Sequence, residues 1–267
     1  MHASLKAFGL LAGILFTTVA VAQEPVSSTC LAMANAMPAP IKVAYAQAPS
    51  STGIVEIAYA GHSTYRIETP EGVTIATDYS GIYGSEPLPM VVTMNKAHRT
   101  HYTDRPDPGI AHVLRGWGDR AGAPARHALT VGDVLIRNVT TDIRRWGTQE
   151  PDANSIFIFE VAGLCIGHLG HLHHALEDRH YAAIGRLDVV MVPVDGGLTA
   201  TLATMGEITG RLSASVVLPM HRQATGISEF TDRLGGRFDI VPMDGNSLTL
   251  SARDLPRRPT VFIPAGL

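Results

Sequence analysis

The chain has 267 residues, of which 45% are hydrophobic and 17% charged, and its formal net charge is −3 at pH 7. This composition is typical of a globular protein with one large domain. The slight acidity and the lack of a basic cluster argue against a nucleic-acid partner or binding to an anionic membrane surface. We therefore expect a small-molecule substrate, and the oligomeric state stays open.

The first 22 residues have the organisation of a secretory signal peptide. Lys6 supplies a positive charge, residues 7–19 form an apolar stretch too short for a comfortable membrane span, and Ala20-Val21-Ala22 is a small-residue cleavage site. We predict cleavage after Ala22 and export to the periplasm or the extracellular space. No membrane association is expected after cleavage. Residues 23–52 are predicted to be an arm or linker, with one short helix at 29–36.

The two cysteines, Cys30 and Cys165, leave two interpretations open. In an exported protein they could form a disulfide bond. Alternatively, Cys165 lies in an apolar strand, which is a usual place for a buried free thiol. Two cysteines cannot build a cysteine-rich zinc site, so a bound metal would depend on histidines and carboxylates.

The predicted domain at 53–267 begins as a meander of strands and continues as alternating strands and helices. In the first half we predict strands at 53–60, 64–68, 73–77 and 89–93, two strands within 128–139, a polar loop at 140–154, and strands at 155–160 and 163–166. In the second half we predict helices at 177–184, 202–212 and 228–234 and strands at 187–193, 215–219, 238–241 and 247–250. This order is typical of an α/β fold with stacked sheets and helices outside them.

Residues that can bind a metal follow several of these strands directly. The densest group is Gly167-His168-Leu169-Gly170-His171-Leu172-His173-His174, which holds four of the twelve histidines. Other strand ends are followed by Asp78, by His98 with His101, by Asp195 and by His221. Because strand ends at one edge of a sheet stack can meet in space, these residues predict a metal site. The alternative is a histidine-rich loop without a specific site.

Four short motifs lie at or near predicted strand ends. They are the G-H-S turn in Ala60-Gly61-His62-Ser63-Thr64-Tyr65, the strand-end Thr77-Asp78, the P-x-G-G-like loop Pro193-Val194-Asp195-Gly196-Gly197 and the P-M-H segment Leu218-Pro219-Met220-His221. These segments resemble the metallo-β-lactamase-fold hydrolases, especially the branch that includes L-ascorbate-6-phosphate lactonase. The resemblance covers about residues 55–241. The resemblance implies a four-layer αββα sandwich and metal-dependent hydrolysis.

The metal motif of that family is altered in this chain. The family's H-x-H-x-D-H corresponds to Lys96-Ala97-His98-Arg99-Thr100-His101, so Lys96 replaces the first histidine and Thr100 the aspartate. Gly167-His168-Leu169-Gly170 stands where the family usually has G-D-T-G, so His168 replaces a bridging aspartate. The family's middle histidine would fall in 140–146, which contains Asp142 but no histidine. The resemblance therefore implies an incomplete two-metal site.

From these replacements we predict one Zn²⁺ ion rather than two, with iron or manganese as open alternatives. The predicted ligands are His98, His101, His168 and His221, and the less certain ones are His171, His173 and Asp195, any of which could instead orient a ligand. A metal-bound hydroxide would be the nucleophile. Lys96 would form an ion pair, stabilise an oxyanion or repel a second metal.

Two functions follow from this interpretation. The first is an exported metal-dependent hydrolase of ester, lactone, amide or phosphoester bonds. The second is a non-catalytic metal- or ligand-binding descendant of the fold, which Lys96 and Thr100 favour. We expect His62 to be structural, and we expect no site role for His112, His127, His174 and His180. Arg144, Arg145 and Trp146 belong either to the mouth of the site or to an ordinary exposed loop.

Overall fold

A computed structural model describes residues 28–31, 53–145 and 147–267. The predicted signal peptide and most of the predicted arm, including residues 32–36 of its short helix, lie outside the described residues. Residues 29–31 form bends. In the described part of the chain, no helix is long and apolar enough to cross a membrane.

The strands form two sheets. The first consists of β1 (Val55–Gly61), β2 (Thr64–Glu68), β3 (Thr74–Ala76), β4 (Val91–Met94), β5 (His112–Arg115) and β13 (Ser247–Leu250), in the order β13-β1-β2-β3-β4-β5. The second consists of β6 (Ala128–Val131), β7 (Val134–Arg145), β8 (Thr148–Val161), β9 (Leu164–His168), β10 (Val189–Pro193), β11 (Val216–Met220), β12 (Asp239–Pro242) and β14 (Thr260–Ile263), in the order β12-β14-β11-β10-β9-β8-β7-β6. The helices are α1 (Asp178–Ile184), α2 (Leu202–Leu212) and α3 (Ile227–Arg233).

The main core lies between the two sheets. Ile57 and Ile67 of the first sheet pack in one cluster with Phe157, Phe159 and Ile166 of the second, and all five are buried. Successive side chains of a strand point to opposite faces. The intervening β8 residues accordingly lie in a second cluster on the opposite face of the sheet. A strand buried on both faces has a continuous apolar sequence, as residues 156–159 do.

The helices cover the outer face of the second sheet. The α2 helix begins after Thr201, whose side chain accepts a hydrogen bond from the Thr204 N–H, and it buries Met205 and Ile208. These residues share the second cluster with Ile158 of β8. The spacing of three residues puts both side chains on one helix face, which explains why the periodic pattern predicted this helix with its correct bounds.

Loops cover the outer face of the first sheet. Val92 and Met94 of β4 pack there against Tyr79 and Ile110, with Tyr102 and Trp117 partly buried beside them. The chain is thus an α/β protein with two stacked sheets, as predicted, and its described α-helices all belong to the second half. In the described residues, the outer layer that a four-layer αββα sandwich would place over the first sheet contains no α-helix.

One element prediction was wrong and two strands were missed. Residues 140–154 are not a loop, because β7 and β8 continue through this stretch as a hairpin with a turn at Gly147, whose φ is +76°. The residues of the hairpin are mostly polar, so their sequence did not indicate strands. The two strands pair through backbone hydrogen bonds, which do not depend on the side chains. The missed strands are β5 and β14, which are only four residues long.

The described N-terminal segment at 28–31 is fixed to the second sheet. Cys30 and Cys165 form a disulfide bond, which decides between the two interpretations of the cysteines. Beside it, the Glu160 carboxylate accepts hydrogen bonds from the backbone N–H groups of Thr29 (2.8 Å) and Cys30 (3.2 Å) and from the Arg137 guanidinium (2.7 Å).

Candidate metal centre

Four imidazoles converge at the edge of the two sheets. One ring nitrogen from each of His98, His101, His171 and His221 lies within 4.8 Å of every other, so this group could hold one metal ion. His98 and His101 lie in the loop after β4, His171 follows β9 and His221 follows β11 directly. Three of the rings are fully buried, and His98 is partly exposed.

Two carboxylates fix the tautomers of two of these histidines. His101 Nδ1 lies 2.7 Å from Asp78 Oδ2, and His221 Nδ1 lies 3.0 Å from Asp195 Oδ1. A carboxylate oxygen only accepts, so each Nδ1 carries the proton and each Nε2 presents a lone pair. Both Nε2 atoms are buried without a hydrogen-bond partner in the described structure. A buried polar atom without a partner is costly, and a metal ion is the partner that would satisfy both.

A chain of hydrogen bonds fixes the tautomer of His171 in the same way. His173 Nδ1 lies 2.9 Å from the Arg144 carbonyl oxygen and must donate to it. The other nitrogen of a neutral His173 therefore accepts from His171 Nδ1 at 2.8 Å. This arrangement leaves His171 Nε2 with a lone pair, 3.0 Å from His98 Nε2.

The backbone around the centre adopts conformations that are rare for residues other than glycine. His62, Asp78 and His221 have φ angles of +53°, +43° and +54°. Such conformations persist where the surrounding structure over-determines them, and they concentrate at functional sites. Asp78 is held by Asn95, whose amide donates to Asp78 Oδ1 at 2.7 Å and whose oxygen accepts from the Ser155 N–H at 2.7 Å.

The pKa shifts of two of the ligands, His101 and His171, favour the neutral imidazole. Burial lowers the pKa of His101, although the Asp78 carboxylate opposes this effect, and burial with the neighbouring rings lowers the pKa of His171 well below its ordinary value. Burial alone would raise the pKa of Asp78, but the His168 and His101 rings and the hydrogen bonds from His101 and Asn95 hold it below its ordinary value. Neutral imidazoles beside ionised carboxylates are the protonation states that metal binding requires.

His168 does not join the cluster, contrary to the prediction. Its Nε2 lies 2.8 Å from the Ser63 carbonyl oxygen, and its Nδ1 accepts from the Gly170 N–H at 3.1 Å. The reason is strand alternation: His168 lies two residues after Ile166 and shares its face, which points between the sheets. The chain then turns at Gly170, where φ is +61°, and brings His171 to the position predicted for His168.

The other predicted site residues lie around the four imidazoles rather than among them. Asp195 supports His221 and also accepts from the backbone N–H groups of Gly197 and Thr199, so it orients a ligand. His173 supports His171. Lys96 forms an ion pair with Glu150 of the β7–β8 hairpin, which is the first of the three roles considered for it.

Three of the histidines for which no site role was expected form hydrogen bonds with backbone groups. His174 accepts from the Asp142 N–H at 3.1 Å, His180 accepts from the Glu177 N–H at 2.9 Å, and His127 Nε2 donates to the Arg115 carbonyl at 2.7 Å. Arg144 bonds to Asp142, at the irregularity in the hairpin. The Arg145 side chain and Trp146 lie outside what the structure describes.

His62, which we expected to be structural, lies against the centre. Its ring centroid lies 4.4 Å from that of His221 and 5.0 Å from that of His101, and it stacks on Tyr83 at 6.3 Å. Burial and the neighbouring histidines lower the pKa of His62 to about 3. The G-H-S turn was noticed in the sequence, but nothing in the sequence shows that the turn faces the other histidines.

The donor set fits one divalent ion. Four neutral imidazole nitrogens suit zinc and other borderline divalent metals. The two carboxylates that lie one hydrogen bond away carry −2, which balances the charge of one such ion. A second ion would need further anionic ligands, and the cluster found among the described residues includes no carboxylate oxygen.

The sequence model of a family described as the beta-lactamase superfamily domain matches residues 56–221, from β1 to the last of the four histidines. The chain belongs to the β-lactamase superfamily. The matched region lies inside the predicted domain at 53–267 and includes all four clustered histidines. A search of curated proteins gave no match.

Solved structures show the same fold for this β-lactamase superfamily member. A structure from Thermotoga maritima, described as a zinc-dependent hydrolase of the metallo-β-lactamase superfamily, is 28% identical, with a TM-score of 0.54 over 79% of this chain and 98% of that chain. Igni18, a metallo hydrolase from Ignicoccus hospitalis, is 18% identical, with a TM-score of 0.51 over 74% and 98%. An isothiocyanate hydrolase from Delia radicum gut bacteria is 8% identical, with a TM-score of 0.51 over 74% and 100%.

Proposed function

We propose that this protein is an exported metal-dependent hydrolase that uses one zinc ion held by His98, His101, His171 and His221. The observation that carries the proposal is the pair of buried Nε2 atoms of His101 and His221, which have no hydrogen-bond partner among the described residues. Carboxylates fix the tautomers of these two histidines. The T. maritima structure, described as a zinc-dependent hydrolase, supports the choice of metal.

The protein's own contribution is to position the ligands and to keep His101, His171 and His221 deprotonated at Nε2. Zinc, when bound, would supply Lewis acidity that polarises a scissile carbonyl or phosphoryl group and lowers the pKa of water towards about 7. Asp78 and Asp195 hold His101 and His221 in fixed orientations and balance the charge of the ion. His98 is the partly exposed ligand, so substrate would reach the centre on its side.

The proposed substrates are small molecules with an ester, lactone, amide or phosphoester bond. The resemblance to the L-ascorbate-6-phosphate lactonase branch makes lactones the first class to test. Related folds carry out different reactions, so the fold does not select among these bonds.

Export is part of the proposal. The residue pattern of the signal peptide motivates it, and the Cys30–Cys165 disulfide is consistent with an oxidising compartment.

The experiment is to purify the mature protein, measure its metal content by elemental analysis and assay lactones, esters, amides and phosphodiesters. We expect about one zinc ion per chain and turnover that a chelator abolishes and added zinc restores. A protein without stoichiometric metal would contradict the proposed function.

One observation favours the second candidate, a metal-binding protein without catalysis. The four nitrogens would complete a tetrahedral shell, and closed four-ligand shells are typical of structural zinc sites. Stoichiometric metal without turnover of any substrate class would support this candidate.

A further inference from the structure

Thr100 occupies the motif position where the related hydrolases have an aspartate, and its hydroxyl lies beside His98. Thr100 Oγ1 is 2.7 Å from His98 Nδ1 and 3.4 Å from His62 Nε2. His62 Nδ1 in turn lies 3.2 Å from Ser63 Oγ. The hydroxyl therefore stands between two imidazoles, and its proton can point to either of them.

The hydrogen-bond chain assigns two protonation patterns to His98. Since His171 Nε2 carries a lone pair, the direct contact at 3.0 Å requires His98 Nε2 to donate. A neutral His98 then has no proton on Nδ1, so Nδ1 must accept a hydrogen bond from the Thr100 hydroxyl. If an ion binds between the rings, His98 Nε2 must instead present a lone pair, so the same proton resides on Nδ1 and is donated to Thr100 Oγ1.

The Thr100 hydroxyl can serve both patterns because it is both a donor and an acceptor. When it accepts from His98, its own proton is free for His62 Nε2, and the His62 Nδ1–H can be donated to Ser63 Oγ. In each of these hydrogen bonds the donor is then the group nearer to His98 and the acceptor is the next group along the chain to Ser63. The imidazole keeps one proton throughout, so the change releases none. An ionised carboxylate at this position could only accept, and it would favour a single pattern.

We propose that Thr100 is a positioning residue that selects the Nδ1–H tautomer of His98 and so completes the metal centre, with His62 as the acceptor for its hydroxyl proton. The inference rests on the proposed function, since it concerns the same centre. It assigns to Thr100 the kind of role that Asp78 and Asp195 have towards His101 and His221. Removing such an outer partner costs about 10- to 100-fold in metal affinity.

The test measures the zinc dissociation constant by competition with a chromophoric chelator. Thr100→Val removes the hydroxyl while keeping the shape of the side chain, and we expect it to weaken zinc binding about 10- to 100-fold. Thr100→Ser restores the hydroxyl and should bind within about threefold of the wild type. The matched control is Thr103→Val in the same loop, because the Thr103 hydroxyl accepts from the Arg105 N–H and does not contact the histidines.

A second readout follows the tautomer itself. In the zinc-loaded wild type, ¹⁵N NMR of the histidine rings should show His98 protonated at Nδ1. Unfolding of each variant by circular dichroism identifies a folding defect. If Thr100→Val unfolds, the comparison of Thr100→Ser with the wild type and the His98 tautomer still decide the proposal.

The outcomes separate this inference from the proposed function. A wild type that does not bind zinc overturns both. A wild type that binds one zinc while folded Thr100→Val binds equally well overturns the role of Thr100 alone. Protonation of His98 at Nε2 in the zinc-loaded protein would remove His98 from the ligands, and it would therefore contradict both the role of Thr100 and the four-histidine centre.

Discussion

At the scale of single residues, the centre depends on which nitrogen of each histidine carries the proton. The sequence indicated His98, His101 and His221 because each lies just beyond a predicted strand. It ranked His168 above His171 as the fourth ligand, and the structure reverses this order, because His168 ends its strand on the face between the sheets and His171 follows a turn. Period-2 alternation from Ile166 would have placed His168 in the core, but alternation does not predict where a loop carries His171.

The variants His171→Ala and His168→Ala test which of the two histidines is the fourth metal ligand. We expect His171→Ala to weaken zinc binding by more than about 100-fold, beyond the 10- to 100-fold cost of losing an outer partner. We expect the zinc affinity of His168→Ala to stay within a few-fold of that of the wild type. The same variant should lower the free energy of unfolding by about 2–4 kcal/mol, because it removes two buried hydrogen bonds and leaves a cavity. Chelator competition and urea denaturation measure the two effects. Loss of zinc binding only in His168→Ala would contradict the assignment.

His173 tests the hydrogen-bond chain that ends at the Arg144 carbonyl. His173→Ala leaves the four imidazoles in place but removes the acceptor for His171 Nδ1–H. We therefore expect zinc binding to weaken about 10- to 100-fold, as measured by isothermal titration. The control is His174→Ala at the neighbouring position, since His174 bonds to the Asp142 backbone rather than to His171. Equal affinities of the two variants would show that His173 does not orient His171.

At the scale of elements, strand ends and one hairpin assemble the centre. The β4, β9 and β11 strands end at a shared edge, as the apolar runs predicted. The β7–β8 hairpin contributes what the sequence did not reveal: the Arg144 carbonyl supports His173, and Ile143 packs against Ala97 beside His98. Its polar residues led to the prediction of a loop, because strands that pair only through backbone hydrogen bonds need no characteristic amino-acid composition.

Glu160 of β8 gives the fold a testable dependence on pH. Burial alone would raise its pKa, but hydrogen bonds from Ser28, Arg137 and the Thr29 N–H and the charge of Arg137 hold it below its ordinary value of 4.5. The unfolded chain therefore takes up the proton first as the pH falls. The stabilisation is complete above about pH 4.5 and is lost as the pH falls through the folded pKa.

The matching variant is Glu160→Gln. We expect it to lower the free energy of unfolding at neutral pH by about 1.5–3 kcal/mol, the usual contribution of a hydrogen bond to a charged group. We also expect it to lose less stability on acidification than the wild type does. Urea denaturation from about pH 3 to about pH 7 measures both. Parallel pH profiles for the two proteins would contradict this role of Glu160.

At the scale of the whole molecule, the disulfide joins the N-terminal segment to the second sheet across 135 residues of chain. The sequence left this pairing open, because a buried cysteine in a strand looks the same whether it is free or bonded. Composition and periodicity did predict the α/β class and the stacked sheets. They could not show that loops cover the outer face of the first sheet, since Tyr79 and Ile110 come from irregular segments.

The double variant Cys30→Ser with Cys165→Ser tests what this link contributes. Closing a loop of this length restricts the unfolded chain, and loss of a native disulfide costs about 2–5 kcal/mol. We expect a fall of that size in the free energy of unfolding, measured by urea denaturation, and an unchanged zinc content. Loss of zinc binding in the folded double variant would show that the N-terminal segment is needed to shape the centre.

The most direct test of the central claim is the anomalous-scattering map of zinc-loaded crystals at the zinc absorption edge. We predict one peak per chain, about 2.0–2.1 Å from the Nε2 atoms of His98, His101, His171 and His221. Two peaks, a peak bound by His168, or the absence of a peak at these residues would contradict it.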